Sequence, residues 1–591
     1  MEKKWILAAQ PDAGDVDRLQ KAISENLFPI ERPLVSLLIN RGITTLEAAN
    51  EFFNPDISKL HDPFLMKNMD KAVERLSQAV INNERIMVYG DYDVDGTSAV
   101  ALLYSFLSEI IGSDYKKYIE YYIPDRYTEG YGISTQGIEY CRDNNINLLI
   151  SLDCGIKAVE KVALANQYGI DVIICDHHLA GDELPAAVAI LDPKCDGCPY
   201  PYKELSGCGV GFKLIQGYCK RFDLPDQLWL SKMDLVAISI ASDIVAMTGE
   251  NRILAYYGLI IINRFPRVGI KSIIEQSNIK VHYPPKEDTI FSRVISISDL
   301  VFYVGPRINA TGRVKSGRES VRLLICEDED KSVDIGKMIN IQNNERRELD
   351  KNATAEAVEM ILKSEYLNKK SIVIYNPTWV KGIIGIVASR LVEEFYRPTI
   401  VLTKSPDGLI TGSARSVKEY DIYAGIDACS DLLEHFGGHK YAAGLSLKEE
   451  NLPAFMERFE QQVSNYLKDT VFVPEIEVDA ELDLTEIKSS FVTNLKKFAP
   501  FGPENMMPVF WSKNVVEEGN GRLINDKHLK MRVLYRNKSC QSIDAIAFNL
   551  SEHFKRISEG EDFDILYHVE ENTWNNNTTI QLNIKDIKFS R

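Results

Sequence analysis

Short apolar stretches alternate with helix-like stretches between residues 85 and 191. The apolar stretches have the length and composition of buried strands, and they cover residues 85–90, 118–123, 147–152, 171–175 and 187–191. Helix-like stretches, such as 97–111 and 156–168, lie between them. Continuous apolar strands separated by helices predict a parallel sheet covered on both faces. In such a sheet, functional side chains gather at the carboxyl ends of the strands.

Polar clusters directly follow three of these strands. They are Asp91, Asp93 and Asp95 after the first strand, Asp153 after the third, and Asp176, His177 and His178 after the fourth. Any one of them could be an ordinary polar turn, but three at one sheet edge are harder to explain in that way. Closely spaced carboxylates repel one another unless a cation lies between them. Because Asp and His ligands suit Mn²⁺ or Mg²⁺ better than a thiolate-bound Zn²⁺, the sequence predicts such a metal site at this edge.

The motifs at these strand ends resemble those of a known superfamily. Residues 90–96 (GDYDVDG), Asp153 and residues 176–178 (DHH) are similar to the DHH phosphoesterase superfamily. Further motifs narrow the resemblance to the RecJ family of bacterial single-strand-specific 5′→3′ exonucleases: 205–214 (LSGCGVGFKL), 241–245 (ASDIV), 305–313 (GPRINATGR), 379–390 (WVKGIIGIVASR), 412–416 (GSARS), 437–444 (GGHKYAAG) and 500–505 (PFGPEN). The resemblance covers nearly the whole chain after residue 80. It departs from the family pattern at Tyr89, where many members have a histidine that pyrophosphatases of the superfamily use as a ligand, and at Asp192, where Asn is common.

The resemblance implies an α/β protein with several domains. A parallel-sheet DHH domain is joined by a long helix to a smaller α/β DHH-associated domain, and an OB-like β-barrel follows. The expected bounds are 1–80 for an N-terminal helical region, 81–265 for the DHH domain, 266–326 for a connecting region, 327–366 for the bridging helix, 367–465 for the DHH-associated domain and 466–591 for the OB-fold domain. Strand patterns dominate the last of these segments, and taken alone they would equally suit a dimerisation or spacer module.

The resemblance also assigns roles to residues. It implies that Asp93 binds one metal ion, that Asp95, His177 and Asp243 bind a second, and that Asp153 bridges the two. His178 would act beside them in catalysis, while Asp91 and Asp176 would hold the ligands in place. The candidates for binding phosphate and DNA are Arg126, Arg307, Arg313, Ser413, Arg415, Gly438 and His439. Arginine presents a planar fork of donors to phosphate, and glycine lets backbone N–H groups approach it.

We therefore expect a metal-dependent single-stranded DNA exonuclease with 5′→3′ polarity. It would use two Mn²⁺ or Mg²⁺ ions to release mononucleotides during DNA recombination and repair. One alternative is a DHH phosphodiesterase of nano-oligonucleotides or cyclic dinucleotides, which would need neither the barrel nor the long helix. A non-enzymatic scaffold of the replication machinery would have lost ligands that this chain retains. A manganese pyrophosphatase is disfavoured by Tyr89 and by the length of the chain.

Composition limits the partners that the chain can have. With 591 residues, more than one domain is expected, and a net charge of −17 leaves only a local basic channel for DNA. No signal peptide is recognisable and no apolar run reaches ~20 residues, so we expect a cytoplasmic protein without a membrane segment. The ten cysteines are scattered, and the single CxxC at Cys195 and Cys198 is expected to be reduced rather than to bind zinc. We expect a monomer that binds single-stranded DNA and has single-strand-binding protein and a RecQ-type helicase as protein partners.

Overall fold

A five-stranded parallel sheet forms the centre of the first lobe. The computed structural model describes residues 3–314, 316–467, 473–536, 542–574 and 577–589. The strands lie in the order Ile119–Tyr122, Ile86–Gly90, Leu148–Leu152, Asp171–Cys175 and Ala189–Leu191. Gly90 pairs with Leu152, and Leu152 pairs with Cys175. The carboxyl ends of the three central strands therefore meet at one edge, as the sequence predicts.

Helices cover both faces of this sheet because successive strand residues point to opposite sides. Ile86 and Val88 lie in one buried cluster, and Met87 and Tyr89 lie in another. The lobe contains the helices Met69–Ile81, Val94–Ile111, Tyr115–Tyr118, Thr135–Asp143, Val159–Gln167, Gly207–Arg221, Gln227–Leu230, Met233–Ser242 and Gly249–Arg264. Within the described part of the chain, the stretch Val94–Tyr118 is long and apolar enough to cross a membrane, but 67% of its most apolar window is buried inside the protein. It is the core helix of the lobe.

A long helix connects the first lobe to the second. The connecting region contains the helices Val268–Gln276 and Ile297–Asp299, a π-helical turn Leu300–Val304, and the helices Gly305–Val314 and Arg318–Leu324. The long helix itself runs from Glu329 to Leu362, inside the range predicted from the sequence. Its amino-terminal half packs against Val268–Gln276, and Ile361 near its end belongs to a core cluster of the second lobe.

The second lobe is a smaller α/β unit. Its sheet has the strand order His435–His439, Ala442–Leu447, Ile410–Arg415, Thr399–Lys404 and Ile372–Tyr375. Only the last two strands are parallel to each other, because helix Ile384–Phe395 connects them and the remaining strands pair in antiparallel fashion. The other helices are Ile422–Asp427 and Leu452–Tyr466.

The last part of the chain forms the expected barrel. Its strands are Ala480–Glu481, Phe510–Glu517, Arg522–Ile524, His528–Leu534, Ile543–Ala547, Phe563–Trp574 and Asn577–Phe589, with helices Ser489–Lys496 and Phe554–Ser558. Phe510–Glu517 pairs with Phe563–Trp574 on one side and with His528–Leu534 on the other. These pairings complete a ring of five strands.

The helices at the start of the chain pack on this barrel. They are Ala13–Asn26, Arg32–Asn40 and Leu46–Phe53. Leu34 and Leu38 share one buried core with Phe491 and Phe498, and strand Lys4–Leu7 pairs in parallel with Glu475–Val478. Residues 3–53 and the described residues of 473–589 therefore form one barrel unit, an association that the sequence pattern does not indicate.

Candidate metal and phosphate-binding site

His177 lies at the centre of a cluster of carboxylates. Its Nε2 is 3.2 Å from Asp153 Oδ1, 3.5 Å from Asp243 Oδ2 and 3.8 Å from Asp95 Oδ2. Ligand atoms of Asp95, His177 and Asp243 all lie within 4.8 Å of one another. Asp95, Asp153 and His177 reach this point from neighbouring strand ends, and Asp243 directly follows helix Met233–Ser242. The structure thus brings together four of the predicted metal ligands.

Several buried polar atoms in this cluster have no hydrogen-bond partner among the described residues. They are Oδ1 of Asp153, Oδ2 of Asp91 and both ring nitrogens of His177. Buried polar atoms are normally paired, so unpaired ligand atoms that lie close together, such as His177 Nε2 and Asp153 Oδ1 at 3.2 Å, indicate a ligand there. Carboxylate oxygens and an imidazole nitrogen form a donor set suited to Mn²⁺ or Mg²⁺. The residues present therefore fit the metal ions that the sequence predicts.

Burial and mutual repulsion perturb the titration of these groups. Burial, followed by the charges of Asp95 and Asp93, raises the pKa of Asp243 to about 8. Burial also raises the pKa of Asp95 and Asp153. It lowers the pKa of His177, which favours the neutral imidazole that a metal requires. The cluster is thus unfavourable as a set of free carboxylates and favourable around a cation.

Asp95 is held by three hydrogen-bond donors. It accepts from the backbone N–H groups of Gly207 and Cys208 and from Ser239 Oγ, each at 2.7 Å. Gly207 begins helix Gly207–Arg221, so the carboxylate binds a helix N-terminus, where the helix dipole favours negative charge. A Cβ on Gly207 would lie 2.5 Å from the Cβ of Asp153, so only glycine permits this approach. The sequence motif contained Gly207, but its role and that of Ser239 were not predicted.

Asp176 supports the two histidines. It accepts hydrogen bonds from the backbone N–H groups of His177 at 2.8 Å and Ile156 at 2.9 Å, and its Oδ1 lies 2.7 Å from His178 Nδ1. Although burial opposes ionisation, these contacts, led by that of His178, lower the pKa of Asp176. Burial acts to lower the pKa of His178, but the hydrogen bond and charge of Asp176 raise this pKa above its ordinary value. These contacts orient the two histidines, and the supporting role of Asp176 at the metal site stays a prediction.

The two other aspartates of the first cluster have different surroundings. Asp93 caps helix Val94–Ile111, since its Oδ1 accepts from Gly96 N at 3.0 Å. Asp91 is buried and accepts from Gly132 N at 3.3 Å. Burial and the charge of Asp93 raise the pKa of Asp91 well above its ordinary value.

Tyr89 forms hydrogen bonds to a neighbouring loop. Its hydroxyl donates to the carbonyl of Gly132 at 3.0 Å and accepts from Ser134 N at 3.1 Å, and its ring stacks on Tyr122. The residue that replaces a family histidine therefore holds the loop after strand Ile119–Tyr122. That loop carries Tyr131, which lies beside the metal cluster.

Tyr131 was not predicted from the sequence. Its hydroxyl donates to the carbonyl of Asp153 at 2.9 Å and lies 3.4 Å from His178 Nε2. Its side chain is 54% exposed. An exposed aromatic ring beside a metal cluster offers a flat face that is suited to stacking on a nucleic-acid base. Its position in a loop that follows a sheet strand was the only signal available.

Four arginines form a cluster between the two lobes. Burial and the charges of Arg126, Arg346 and Arg415 lower the pKa of Arg313 to about 10. Arg126 stacks on Tyr92 at 3.9 Å, and Arg415 donates to Ser413 Oγ at 3.1 Å. Arg313 donates to the carbonyl of Gly382 at 2.8 Å. All four are only partly exposed, and Arg346 is already paired with Asp350 at 3.1 Å. Adjacent, partly desolvated cations repel one another and attract an anion, as a phosphate site requires.

The remaining phosphate candidates lie in other settings. Each guanidinium nitrogen of Arg307 donates within the protein, to Asn340 Oδ1 at 3.1 Å, Tyr303 O at 2.8 Å and Gln276 O at 3.2 Å. A phosphate would compete with these bonds, and the role of Arg307 stays a prediction. Gly438 and His439 lie in the edge strand of the second lobe, where both are exposed.

Comparisons with known proteins agree with the fold. Residues 85–240 match the family model "DHH family, N-terminal domain", residues 368–465 match "DHHA1 domain", and residues 478–586 match "RecJ OB domain". The chain is 36% identical over 589 residues to the single-stranded-DNA-specific exonuclease RecJ of Bacillus subtilis, covering 99% of this chain and 71% of that protein. The Escherichia coli protein of the same name is 31% identical, with coverage of 88% and 90%.

Solved structures show the same architecture. RecJ from Thermus thermophilus in complex with Mn²⁺ superposes with a TM-score of 0.82 at 23% identity, covering 100% of this chain and 80% of that chain. An exonuclease RecJ bound to manganese gives a TM-score of 0.58 at 27% identity, covering 71% of this chain and 99% of that chain. The resemblance found in the sequence is confirmed: this chain belongs to the RecJ family.

Proposed function

We propose that the protein is a metal-dependent exonuclease that degrades single-stranded DNA from the 5′ end and releases mononucleotides, in DNA recombination and repair. The observation that carries this proposal is the set of unpaired ligand atoms at His177 and Asp153, together with a cluster of half-buried arginines. The curated relatives named above are single-stranded-DNA-specific exonucleases, which supports the same substrate.

We assign the metal ligands as the family resemblance implies. Asp93 would hold one ion, Asp95, His177 and Asp243 would hold the other, and Asp153 would serve both. When bound, Mn²⁺ or Mg²⁺ ions supply an activated water and neutralise charge on the phosphodiester. The protein's part is to stabilise the charge of Asp95 through Ser239 and the helix N-terminus, and to hold its ligands close together.

Other residues of the chain handle the phosphate and the strand. Asp176 holds Nδ1 of His178, so that Nε2 is the atom available to donate a hydrogen bond to a phosphate oxygen. Arg126, Arg313, Ser413 and Arg415 bind the 5′-terminal phosphate, and Tyr131 stacks on a base. The barrel unit binds the strand further along, as OB folds do.

The setting of the enzyme follows from this substrate. We propose a monomer that acts in the cytoplasm, on single strands that a RecQ-type helicase exposes and that single-strand-binding protein covers. The domain bounds predicted from the sequence stay a proposal. They are supported by helix Glu329–Leu362 and by the strands of the second lobe, which lie between residues 372 and 447.

Digestion of end-labelled oligonucleotides tests the proposal. With Mn²⁺, a 5′-labelled single strand should yield labelled mononucleotide at once, whereas a 3′-labelled strand should shorten step by step. The same strands with EDTA are the control and should stay intact. Preferential attack on blunt duplex, cleavage in EDTA, or faster hydrolysis of a dinucleotide than of a long strand would refute the proposal.

A further inference from the structure

The turn at residues 500–505 lies against the loop that follows Asp243. The backbone N–H of Met247 donates to the carbonyl of Pro503 at 2.8 Å. A Cβ built on Gly502 would lie 2.9 Å from the Cε of Met247, whose side chain is buried. The PFGPEN motif thus joins the barrel unit directly to the loop that leads from a metal-site residue.

Arg252 holds the same turn from the first lobe. It lies in the first turn of helix Gly249–Arg264 and stacks on the ring of Phe52 at 3.8 Å. Its guanidinium donates to five backbone carbonyls, those of Phe52 at 3.1 Å, Phe498 at 2.9 Å, Pro500 at 3.2 Å, Lys497 at 3.4 Å and Ala499 at 2.9 Å. One side chain therefore binds both halves of the barrel unit, at the ends of helices Leu46–Phe53 and Ser489–Lys496.

Asn505 shares two of these acceptors. Its Nδ2 donates to the carbonyls of Phe498 and Pro500, both at 2.8 Å. Its Oδ1 accepts from Arg41, which also donates to the carbonyl of Met506 at 2.7 Å. Because Arg252 and Asn505 bind the same carbonyl groups, their effects on the turn are expected to be coupled.

Arg252 is a buried cation that forms no ion pair within the described ranges. Burial and the charge of Arg41 lower its pKa to about 9, so it remains charged at neutral pH. Four of the five carbonyls that it binds follow the carboxyl end of helix Ser489–Lys496, and the fifth, Phe52, lies at the carboxyl end of helix Leu46–Phe53. At such helix ends the helix dipole favours a cation. Apolar side chains would join the barrel unit to the first lobe at a lower desolvation cost than a buried cation. The cation therefore contributes a defined docking geometry, because its hydrogen bonds fix the position of the turn.

The loop from Ile244 to Thr248 is fixed from the opposite side as well. Asn251 Nδ2 donates to the carbonyl of Ala246 at 2.9 Å, and Tyr202 donates to the same carbonyl at 3.2 Å. Ile244 has a φ of 59°, which is strained for a β-branched residue. Such strain persists only where the surroundings hold the backbone in place. The docked turn at Pro503 is one of those surroundings.

We propose that Arg252 and Asn505 are positioning residues for Asp243. By docking the barrel unit on the loop at residues 244–248, they hold this carboxylate at the metal site, so that barrel docking and metal affinity are coupled. The inference rests on the proposed function only in taking Asp243 as a metal ligand.

Mn²⁺ binding, measured on the full-length protein from the EPR signal of free Mn²⁺, tests this inference without any need for cleavage. Arg252→Gln and Asn505→Ala are each expected to weaken Mn²⁺ binding about tenfold, the lower end of the range for groups that orient a ligand. The double variant is expected to bind Mn²⁺ about as weakly as the weaker-binding single variant, because the two residues share acceptors.

Asn494→Ala is the matched control. Asn494 is a buried amide of the barrel unit that donates to the carbonyl of Pro29 at 2.7 Å and to Glu31 at 2.9 Å. This variant should lower the melting temperature and leave Mn²⁺ affinity unchanged. The inference is overturned if Asn505→Ala keeps wild-type Mn²⁺ affinity while folded, or if Asn494→Ala weakens it equally. If Arg252→Gln does not fold, Asn505→Ala alone decides. A wild type that binds Mn²⁺ but spares single-stranded DNA would refute the proposed function and leave this inference standing.

Discussion

Replacing Ser239 with alanine should weaken metal binding without disturbing the fold. Ser239 Oγ is buried and donates to Asp95 Oδ1 at 2.7 Å, and it accepts from Ser206 Oγ at 2.6 Å. The variant removes one of the three donors that hold Asp95 and leaves the two backbone N–H groups of the helix N-terminus in place. Asp95 therefore stays at the site but loses part of the stabilisation of its charge.

The size of the effect follows from the kind of hydrogen bond that is lost. A hydrogen bond to a charged acceptor contributes about 1.5–3 kcal/mol, and each 1.4 kcal/mol corresponds to about a factor of ten in affinity. We therefore expect the Kd for Mn²⁺ to rise by about 10- to 100-fold. The two remaining donors keep the loss from being complete.

Isothermal titration with Mn²⁺ measures this effect, and Ser98→Ala is its matched control. Ser98 is a buried serine of the same lobe, and its hydroxyl has no hydrogen-bond partner within the described parts of the chain. Its removal should leave Mn²⁺ affinity unchanged. Wild-type affinity in Ser239→Ala, or an equal loss in Ser98→Ala, would show that the donors to Asp95 do not tune the metal site.

Three further predictions follow from other contacts. Asp153→Asn should abolish cleavage yet raise the stability of the metal-free protein by about 2 kcal/mol, because Asp153 and Asp95 both lie within 3.8 Å of one His177 nitrogen and repel each other; thermal melts in EDTA that show no gain would contradict this. Arg415→Gln should reduce the preference for 5′-phosphorylated over 5′-hydroxyl strands by about 10- to 100-fold, whereas Arg458→Gln, at an exposed ion pair with Asp431, should not. Burial acts to raise the pKa of Asp299, but hydrogen bonds from Arg293 and Ser296 lower it below its ordinary value. The ionised carboxylate therefore stabilises the folded protein above the pKa that Asp299 has in the unfolded chain. This stabilisation is lost as the pH falls through the pKa that Asp299 has in the folded protein. Asp299→Asn should therefore lower the free energy of unfolding by about 1 kcal/mol near pH 7, a small value because Arg293 is partly exposed, and by almost nothing near pH 2. Urea unfolding at the two pH values measures this difference. An equal loss at both would argue against the prediction.

The metal site was predictable because its strands are local and parallel. Asp95, Asp153 and His177 each follow a short apolar run, and the rule that strand ends meet at one edge brings them together. Asp243 required the family resemblance, since nothing near it marks a sheet edge. Ser239 precedes Asp243 by four residues on one helix face, a spacing that could have identified it.

The association of distant segments could not be predicted in this way. Arg252 donates to the carbonyl of Phe498, which is 246 positions away, and backbone carbonyls carry no mark in the sequence. The sequence of residues 13–53 reveals that the helices have an apolar face, but it does not reveal which part of the chain covers that face. Their packing on the barrel depends on shape at a long-range interface, which a local pattern does not encode.

The strand Lys4–Leu7 has a consequence for how the protein folds during synthesis. Its partner, Glu475–Val478, leaves the ribosome much later, about 20–90 s afterwards at the usual rate of ~5–20 residues per second. Until then, the buried faces of the first three helices, with residues such as Leu34 and Leu38, have no barrel to cover them. These apolar surfaces therefore stay uncovered while the residues between the two segments are synthesised, and this interval is when the nascent chain is most exposed to aggregation.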